Sequence, residues 1–244
     1  MGLAAALGLG ILTFLTTVNA LYYSFFAFRE LPIVQPRGKV AILVRTLNER
    51  DYVELCLRSL DNQPILQRYP RNFEKVVIDG GSTDGTIEIA RALGWEVVVF
   101  PRSKGWGKVS STDYYIRYMT SADIVVLCDS DTFFPRMWLQ NVLYHFRNPR
   151  VVAVRTPKLY DVPAVSFIAL PKVLLEVNMP CGNCAFVRRA YIESGGFEVW
   201  CEGSKLQYWG EEVVLYKRLR RLGEVVFEPT PVFARLPTRK WIRT

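Results

Sequence analysis

The sequence predicts an α/β domain with a mostly parallel central sheet and flanking helices, preceded by one N-terminal transmembrane helix. From residue 39 onward, short apolar stretches alternate with segments whose apolar residues recur at helical spacing. The chain between successive strands is long enough for crossover helices, which parallel strands require. The first 28 residues contain no Asp, Glu, Lys or Arg. A length of 244 residues suits one such domain with a sizeable core.

The N-terminal segment, residues 1–28, has the length and apolar character of a membrane anchor, since about 20 apolar residues cross a bilayer. A cleavable signal peptide is the alternative, because residues 18–20 resemble a small-residue cleavage site. The segment lacks a basic start, however, and stays apolar beyond that point. Arg29, Arg37 and Lys39 follow it. By the positive-inside rule, we expect a single-pass membrane protein whose main domain is cytoplasmic.

Four segments follow from these patterns: an anchor over residues 1–28, a linker over 29–38, the main domain over 39–235 and a basic tail over 236–244. The formal net charge is +8, but the basic residues are spread out except near the C-terminus and in residues 217–221. Attraction to anionic lipid headgroups is a simpler account of this charge than a nucleic-acid site. For residues 217–221, the alternative is a solvated helix face. We therefore expect a membrane as partner and no nucleic acid.

The first half of the main domain reads as alternating strands and helices. Apolar runs predict strands, and apolar positions at helical spacing predict the helices between them. Gly94 follows the second helix, as is typical of a helix end. In chain order, the pattern predicts a strand at 39–45, a helix near 53–60, a strand at 73–78, a helix near 87–93 and a strand at 96–100.

The second half is less regular. Pro135 suits the first turn of a helix, and Gly223 closes an amphipathic helix. The predicted helices are 109–119, 135–146, 170–177 and 210–222. The predicted strands are 124–128, 150–155, 184–187 and 225–227.

Two carboxylates follow the most apolar of these strands, residues 124–128. Asp129 and Asp131 are two residues apart, so an extended backbone places both side chains on one side. Open α/β sheets bind ligands at the carboxyl ends of their strands. Paired carboxylates there suit Mg²⁺ or Mn²⁺ carrying a substrate phosphate. The alternative is that both are solvated acids of a loop.

Further motifs follow in an order that resembles family-2 glycosyltransferases of the GT-A fold. The resemblance covers about residues 39–230 and is most specific at residues 79–86. The matching stretches are residues 42–60, 76–86, 123–131, 182–189, 195–197 and 210–219.

The resemblance implies a transferase that moves a sugar from a nucleotide-sugar donor to an acceptor hydroxyl with inversion, assisted by Mg²⁺ or Mn²⁺. Asp79 would read the base, since a carboxylate accepts the imide N–H of uracil. Gly80 replaces the second acid of many relatives, which leaves uracil specificity open. Alternatively, Asp79 and Ser82 only cap the next helix. The residues implied for the nucleotide sugar are Thr46, Asn48, Glu49, Asp79, Ser82, Lys108 and Asp129.

The resemblance also implies roles for four acids. Asp131 would hold the metal, and Asp129 the ribose or a metal-bound water. The metal would neutralise the departing diphosphate. Glu212 occupies the position of the general base that deprotonates the acceptor hydroxyl, where the family usually has Asp. The base is either Glu212 or Glu211. The alternative is that both are acids of the first helical turn, where the helix dipole favours negative charge.

Two other functions remain open from the sequence. A nucleotidyltransferase also uses two acids and a metal on a similar sheet, but it needs no acceptor base. A non-catalytic membrane-bound protein that binds a sugar or nucleotide would explain the departures at Gly80 and Glu212. For the transferase, the predicted anchor favours a lipid-linked or polysaccharide acceptor.

Overall fold

A computed structural model describes residues 2–26, 28–161, 179, 181–197 and 211–235. The predicted helix at 170–177 and the basic tail at 236–244 lie outside these residues. The helices are α1 (Gly2–Phe26), α2 (Arg50–Asp61), α3 (Pro64–Arg68), α4 (Thr86–Ala92), α5 (Lys108–Tyr114), α6 (Trp138–Tyr144), α7 (Arg188–Glu193) and α8 (Glu211–Leu222). The strands are β1 (Val40–Thr46), β2 (Phe73–Asp79), β3 (Glu96–Val99), β4 (Ile124–Asp129), β5 (Thr132–Phe133), β6 (Val151–Arg155), β7 (Lys158–Tyr160), β8 (Asn183–Val187), β9 (Glu224–Phe227) and β10 (Val232–Ala234).

Seven strands form the main sheet in the order β3-β2-β1-β4-β8-β6-β9. Strand β8 runs antiparallel to β4 and β6, and the other neighbouring pairs are parallel. The central strands β1 and β4 are buried on both faces, except for the half-buried Asp129 at the end of β4. The mostly parallel sheet predicted from the sequence is confirmed.

Helices cover both faces of this sheet. Side chains alternate along β1, so that Ile42 joins the core beneath α2, α3 and α6, whereas Leu43 joins the core beneath α5, α7 and α8. The largest fully buried side chain is Trp138 of α6. Its indole N–H donates a hydrogen bond to Thr156 Oγ1 over 3.1 Å, which satisfies its polar atom. The two cores hold the carboxyl ends of β1, β2 and β4 at one edge of the sheet.

A second, smaller sheet was not predicted. It consists of β5, β10 and β7 in that order, with two or three residues in each strand. Such short strands leave no periodic pattern in a sequence, which explains why they were missed. The backbone N–H of Arg235 donates to the carbonyl oxygen of Asp131 over 3.4 Å. The small sheet thus supports the chain directly after β4.

The N-terminal segment forms helix α1, which is 25 residues long. Within the part of the chain that the structure describes, no helix has both the length and the apolar character needed to cross a bilayer. The transmembrane helix predicted over residues 1–28 is therefore not supported. Near the C-terminal end of α1, the hydroxyl of Tyr22 donates a hydrogen bond to Pro229 O over 2.8 Å.

The residues after α1 are held against the main domain by a buried carboxylate, that of Glu228, whose side chain is 0% exposed. His145 Nε2 lies 2.7 Å and Arg29 Nη1 3.4 Å from this carboxylate, and the hydroxyl of Thr230 donates to it over 2.6 Å. Burial acts to raise the pKa of Glu228, but the hydrogen bonds from His145 and Thr230 outweigh burial and hold the pKa below its usual value.

We predict that Glu228→Gln destabilises the protein at pH 7 by about 1–3 kcal/mol, because hydrogen bonds to a charged group are lost. The parent's carboxylate is stabilising above the unfolded pKa of about 4.3, and this contribution disappears as the pH falls through the lower folded pKa. Thermal melts between pH 7 and pH 3 should therefore show a smaller acid-induced fall in Tm for Glu228→Gln than for the parent. Glu224→Gln, at an exposed position of β9, is the control. Equal Tm values for Glu228→Gln and the parent at pH 7 would contradict the assignment.

Candidate active site

A cleft lies where the carboxyl ends of β1, β2 and β4 meet. The predicted site residues that line it are Thr46, Glu49, Lys108, Asp129 and Asp131. Its other walls include Arg45, Leu47, Gly80, Phe100, Arg102 and Trp106. The position agrees with the edge at which α/β sheets bind ligands.

The carboxylate of Asp129 pairs with three cationic side chains. Its Oδ1 lies 2.7 Å from Arg45 Nη2 and 2.7 Å from Lys108 Nζ, and its Oδ2 lies 3.0 Å from Lys158 Nζ. Burial alone would raise the pKa of Asp129, but Lys108, Lys158 and Arg45 together hold it well below the usual range. The same attraction acts on Lys158, where burial lowers the pKa but Asp129 and Asp131 raise it above its usual value. Asp129 is thus ionised at neutral pH.

Two of these cations were missed from the sequence. Arg45 lies within the predicted first strand, and a charged residue at the end of a buried run was the signal that could have identified it. Lys158 begins β7, a strand of three residues with no periodic pattern, so no sequence signal pointed to it.

Gly182 makes this arrangement possible. A Cβ atom at that position would lie 2.0 Å from Asp129 Oδ2 and 2.9 Å from Lys158 Nζ, both too close for atoms that are not bonded. The carbonyl oxygen of Gly182 also accepts the backbone N–H of Asp129 over 3.1 Å. The absence of a side chain at residue 182 therefore lets the carboxylate and the lysine meet.

Asp131 lines the same cleft and accepts a hydrogen bond from Thr132 Oγ1 over 3.1 Å. Among the described residues, no group of three or more His, Cys, Asp or Glu side chains could hold a metal ion alone. Mg²⁺ and similar ions are commonly bound by one or two carboxylates plus substrate phosphates. Of the predicted metal pair, Asp131 fits this role, whereas both oxygens of Asp129 already contact cations.

Asp79 does not line the cleft. Its side chain is buried, and its carboxylate accepts hydrogen bonds from the backbone N–H groups of Gly81 and Ser82, both over 2.7 Å, and from Ser82 Oγ over 2.5 Å. These contacts stabilise the turn after β2. Both oxygens of this carboxylate are therefore hydrogen-bonded within the turn. The sequence had left open a similar structural role, in which Asp79 and Ser82 cap the next helix.

Asn48 and Ser82 connect the loops after β1 and β2. The backbone N–H of Asn48 donates to Ser82 Oγ over 2.8 Å, and Asn48 Oδ1 accepts the N–H of Thr83 over 3.0 Å. Asn48 has a φ of 53°, a left-handed conformation that Asn adopts more readily than most residues. These two predicted site residues shape the loops, while Thr46 and Glu49 face the cleft.

Glu212 lies in the first turn of α8 and is half-buried. Its Oε1 accepts the backbone N–H of Cys181 over 2.9 Å. Because Cys181 precedes Gly182, this bond places the Glu212 carboxylate beside the segment that contacts Asp129. Glu211 is the first residue of α8, and its side chain lies outside the described residues.

Comparison with known proteins finds a matching protein family and a relative of known name. Residues 41–195 match the family described as glycosyl transferase family 2. The chain is 24% identical over 179 residues to glycosyltransferase AglE of Haloferax volcanii, and the match covers 64% of this chain. It spans 55% of the length of that relative.

Two solved structures are similar in fold. The mannosyltransferase PcManGT from Pyrobaculum calidifontis, in complex with GDP-Man and Mn²⁺, has a TM-score of 0.66 and 22% identity, covering 96% of this chain and 67% of that one. Glucosyl-3-phosphoglycerate synthase from Mycobacterium tuberculosis, with Mn²⁺ and UDP-glucose, has a TM-score of 0.59 and 20% identity, covering 84% and 74%. The GT-A type fold expected from the sequence is confirmed.

We predict that Gly182→Ala lowers the free energy of unfolding by about 1–3 kcal/mol, as overpacking commonly does. The added methyl group must displace Asp129 or Lys158, so the variant should also bind nucleoside diphosphates more weakly than the parent. Thermal melts and calorimetric titration with GDP and UDP measure the two effects. Gly10→Ala is the control, because a Cβ there meets nothing within 4 Å. If Gly182→Ala matches the parent in both measurements, the Asp129–Lys158 contact is not formed as described.

Proposed function

The chain belongs to glycosyl transferase family 2, and from this premise we propose that it moves a sugar from a nucleoside diphosphate sugar to an acceptor hydroxyl group with inversion at the anomeric carbon. The observation that carries the proposal is the charge of the cleft. Arg45, Arg102 and Lys108 line the cleft, and Lys158 contacts Asp129, which brings four positive charges. Glu49, Asp129 and Asp131 bring three negative charges, which leaves a surplus of one positive charge. A diphosphate leaving group complements that surplus.

The cleft supports departure of the diphosphate. Negative charge develops on the phosphate oxygens as the bond to the sugar breaks, and cations already in position stabilise that charge. Asp131, together with phosphate oxygens, would hold Mg²⁺ or Mn²⁺, which supplies further positive charge to the leaving group. The two similar structures described above contain Mn²⁺.

Glu212 is the proposed general base. The hydrogen bond from Cys181 holds its carboxylate beside the segment that contacts Asp129, close to the proposed diphosphate site. An acceptor hydroxyl that loses its proton to Glu212 as it attacks would displace the diphosphate directly and invert the anomeric centre. A nucleotidyltransferase would not need this base, and membership of the family favours sugar transfer.

The donor base is not read by the Asp79 carboxylate in this proposal, since the turn after β2 uses that group. Gly80 lines the cleft without a side chain. Solved structures of similar fold contain GDP-Man or UDP-glucose, so both donor classes belong in the first assays. We also propose a lipid-linked or polysaccharide acceptor and a cytoplasmic location, which are suggested by the absence of Asp, Glu, Lys and Arg from residues 1–28 and by the basic residues that follow.

We predict that Glu212→Gln lowers the rate of sugar transfer by about two to four orders of magnitude and leaves donor binding nearly intact, because an amide cannot accept the proton. Donor affinity by calorimetry and nucleoside diphosphate release from GDP-mannose and UDP-glucose with Mn²⁺ measure the two effects. Glu193→Gln, at an exposed position of α7, is the matched control.

Glu211→Gln decides between the two neighbouring acids. A large loss of transfer in Glu211→Gln with a normal rate in Glu212→Gln would assign the base to Glu211. Normal rates in both variants would contradict the base-assisted mechanism. A parent that consumes neither donor class with any sugar acceptor, and binds neither nucleotide, would contradict the proposed function itself.

A further inference from the structure

A second groove lies beside the cleft, on the side of the small sheet. Residues of α2, β5, β7 and β10 line it, together with residues that directly follow β7 and β10. Asp131 lines both this groove and the cleft, so the two meet at that residue. A molecule bound in the groove therefore has one end beside the cleft in which the donor is proposed to bind.

Aromatic rings form much of the wall of this groove. They belong to Tyr52 of α2, Phe133 of β5, Tyr160 of β7 and Phe233 of β10. The rings of Phe133 and Phe233 pack 6.3 Å apart, tilted by 36°. Despite this contact Phe133 is 39% exposed, and Leu55 in the same wall is 59% exposed. The groove thus keeps apolar surface in contact with water, and covering that surface with a ligand is favourable.

The charges of the groove restrict which ligand can cover it. Asp51, Asp131 and Asp161 line the groove, and Arg235 is the one cation among its described lining residues. The Arg235 guanidinium lies over the Tyr52 ring, 5.3 Å from its centroid, and its Nε is 3.9 Å from Asp161. Three negative charges and one positive charge leave a surplus of two negative charges. This surplus repels a phosphate group, whereas carboxylate oxygens accept hydrogen bonds from hydroxyl groups.

We propose that this groove binds the acceptor and that the acceptor is an uncharged saccharide, not a phosphorylated lipid. A sugar ring offers C–H groups that pack on aromatic rings and hydroxyl groups that donate to carboxylates. The terminal sugar of a polysaccharide, or of a lipid-linked saccharide, has this chemistry. With its end beside Asp131, such a sugar presents a hydroxyl group to the donor. The inference rests on the proposed function, because it concerns the acceptor of the same transfer.

Donor consumption distinguishes the two classes of acceptor. Release of GDP from GDP-mannose and of UDP from UDP-glucose is measured with the full chain and Mn²⁺. The reactions contain no acceptor, neutral disaccharides and trisaccharides of mannose or glucose, or farnesyl phosphate. We expect the saccharides to raise the release several-fold above the rate without acceptor. Farnesyl phosphate should leave that rate unchanged.

Phe133→Leu tests the groove itself, because it removes an exposed ring but keeps an apolar side chain. We expect the KM for the saccharide to rise about 5- to 30-fold, as loss of the aromatic contact area predicts. Calorimetric affinities for GDP and UDP should equal those of the parent, and Phe133→Tyr, which keeps the ring, should have a KM close to that of the parent. Tyr118→Leu is the matched control, since Tyr118 is 72% exposed and lines neither the groove nor the cleft.

Circular dichroism checks that each variant is folded. Should Phe133→Leu not fold, Leu55→Gln removes apolar surface from the same groove at an exposed position of α2, with the same expected direction. A purely structural role of either residue would lower the melting temperature without separating the saccharide KM from the affinity for the nucleoside diphosphate.

Three results would overturn the inference: stimulation of donor consumption by farnesyl phosphate, donor consumption that no saccharide accelerates, or a parent-like saccharide KM in the folded groove variant. In each of these results the parent still consumes a nucleotide sugar, so its proposed use of that donor survives. A parent that consumes neither GDP-mannose nor UDP-glucose, and binds neither nucleotide, would contradict the proposed function instead.

Discussion

The ionised carboxylate of Asp129 is the group on which the cleft depends. It sits at the end of β4 and pairs with Arg45 from β1, Lys108 from the start of α5 and Lys158 from β7. One side chain thereby joins the main sheet, a helix and the small sheet. Removing one partner of a buried charge cluster is strongly destabilising, whereas the intact cluster is compensated. The geometry of the cleft and the stability of its walls thus depend on the same contacts.

The segment Cys181–Gly182 links this cluster to the proposed base. Gly182 contacts Asp129 through its backbone, and Cys181 donates its N–H to Glu212. Because the two residues are adjacent, the backbone of Asp129 and the carboxylate of Glu212 are hydrogen-bonded to the same short segment. In the proposed mechanism, one short stretch of backbone would position both the departure of the diphosphate and the removal of the acceptor proton. A glycine is needed at residue 182 because a Cβ atom there would lie 2.0 Å from Asp129 Oδ2.

The sequence predicted the parts of the fold that depend on long buried patterns. Strands β1 and β4 are almost continuous apolar runs, so they and the position of Asp131 after them could be identified. The pattern could not reveal the small sheet, whose strands have two or three residues, and Lys158 was missed with it. The role of Asp79 also could not be predicted from the sequence. A carboxylate that binds a base and one that stabilises a turn have the same sequence pattern. Only the hydrogen bonds from the backbone N–H groups of Gly81 and Ser82 distinguish the two roles.

In the proposed function, the cations held by Asp129 form the diphosphate site of a glycosyltransferase. A crystal structure of the full chain with the nucleoside diphosphate that it binds, grown once with Mn²⁺ and once with EDTA, tests this claim most directly. Oxygens of the diphosphate should lie within hydrogen-bonding distance, about 2.7–3.0 Å, of Lys158 Nζ and Lys108 Nζ in both crystals. A diphosphate held away from both lysines, with a metal ion coordinated by Asp129, would contradict it.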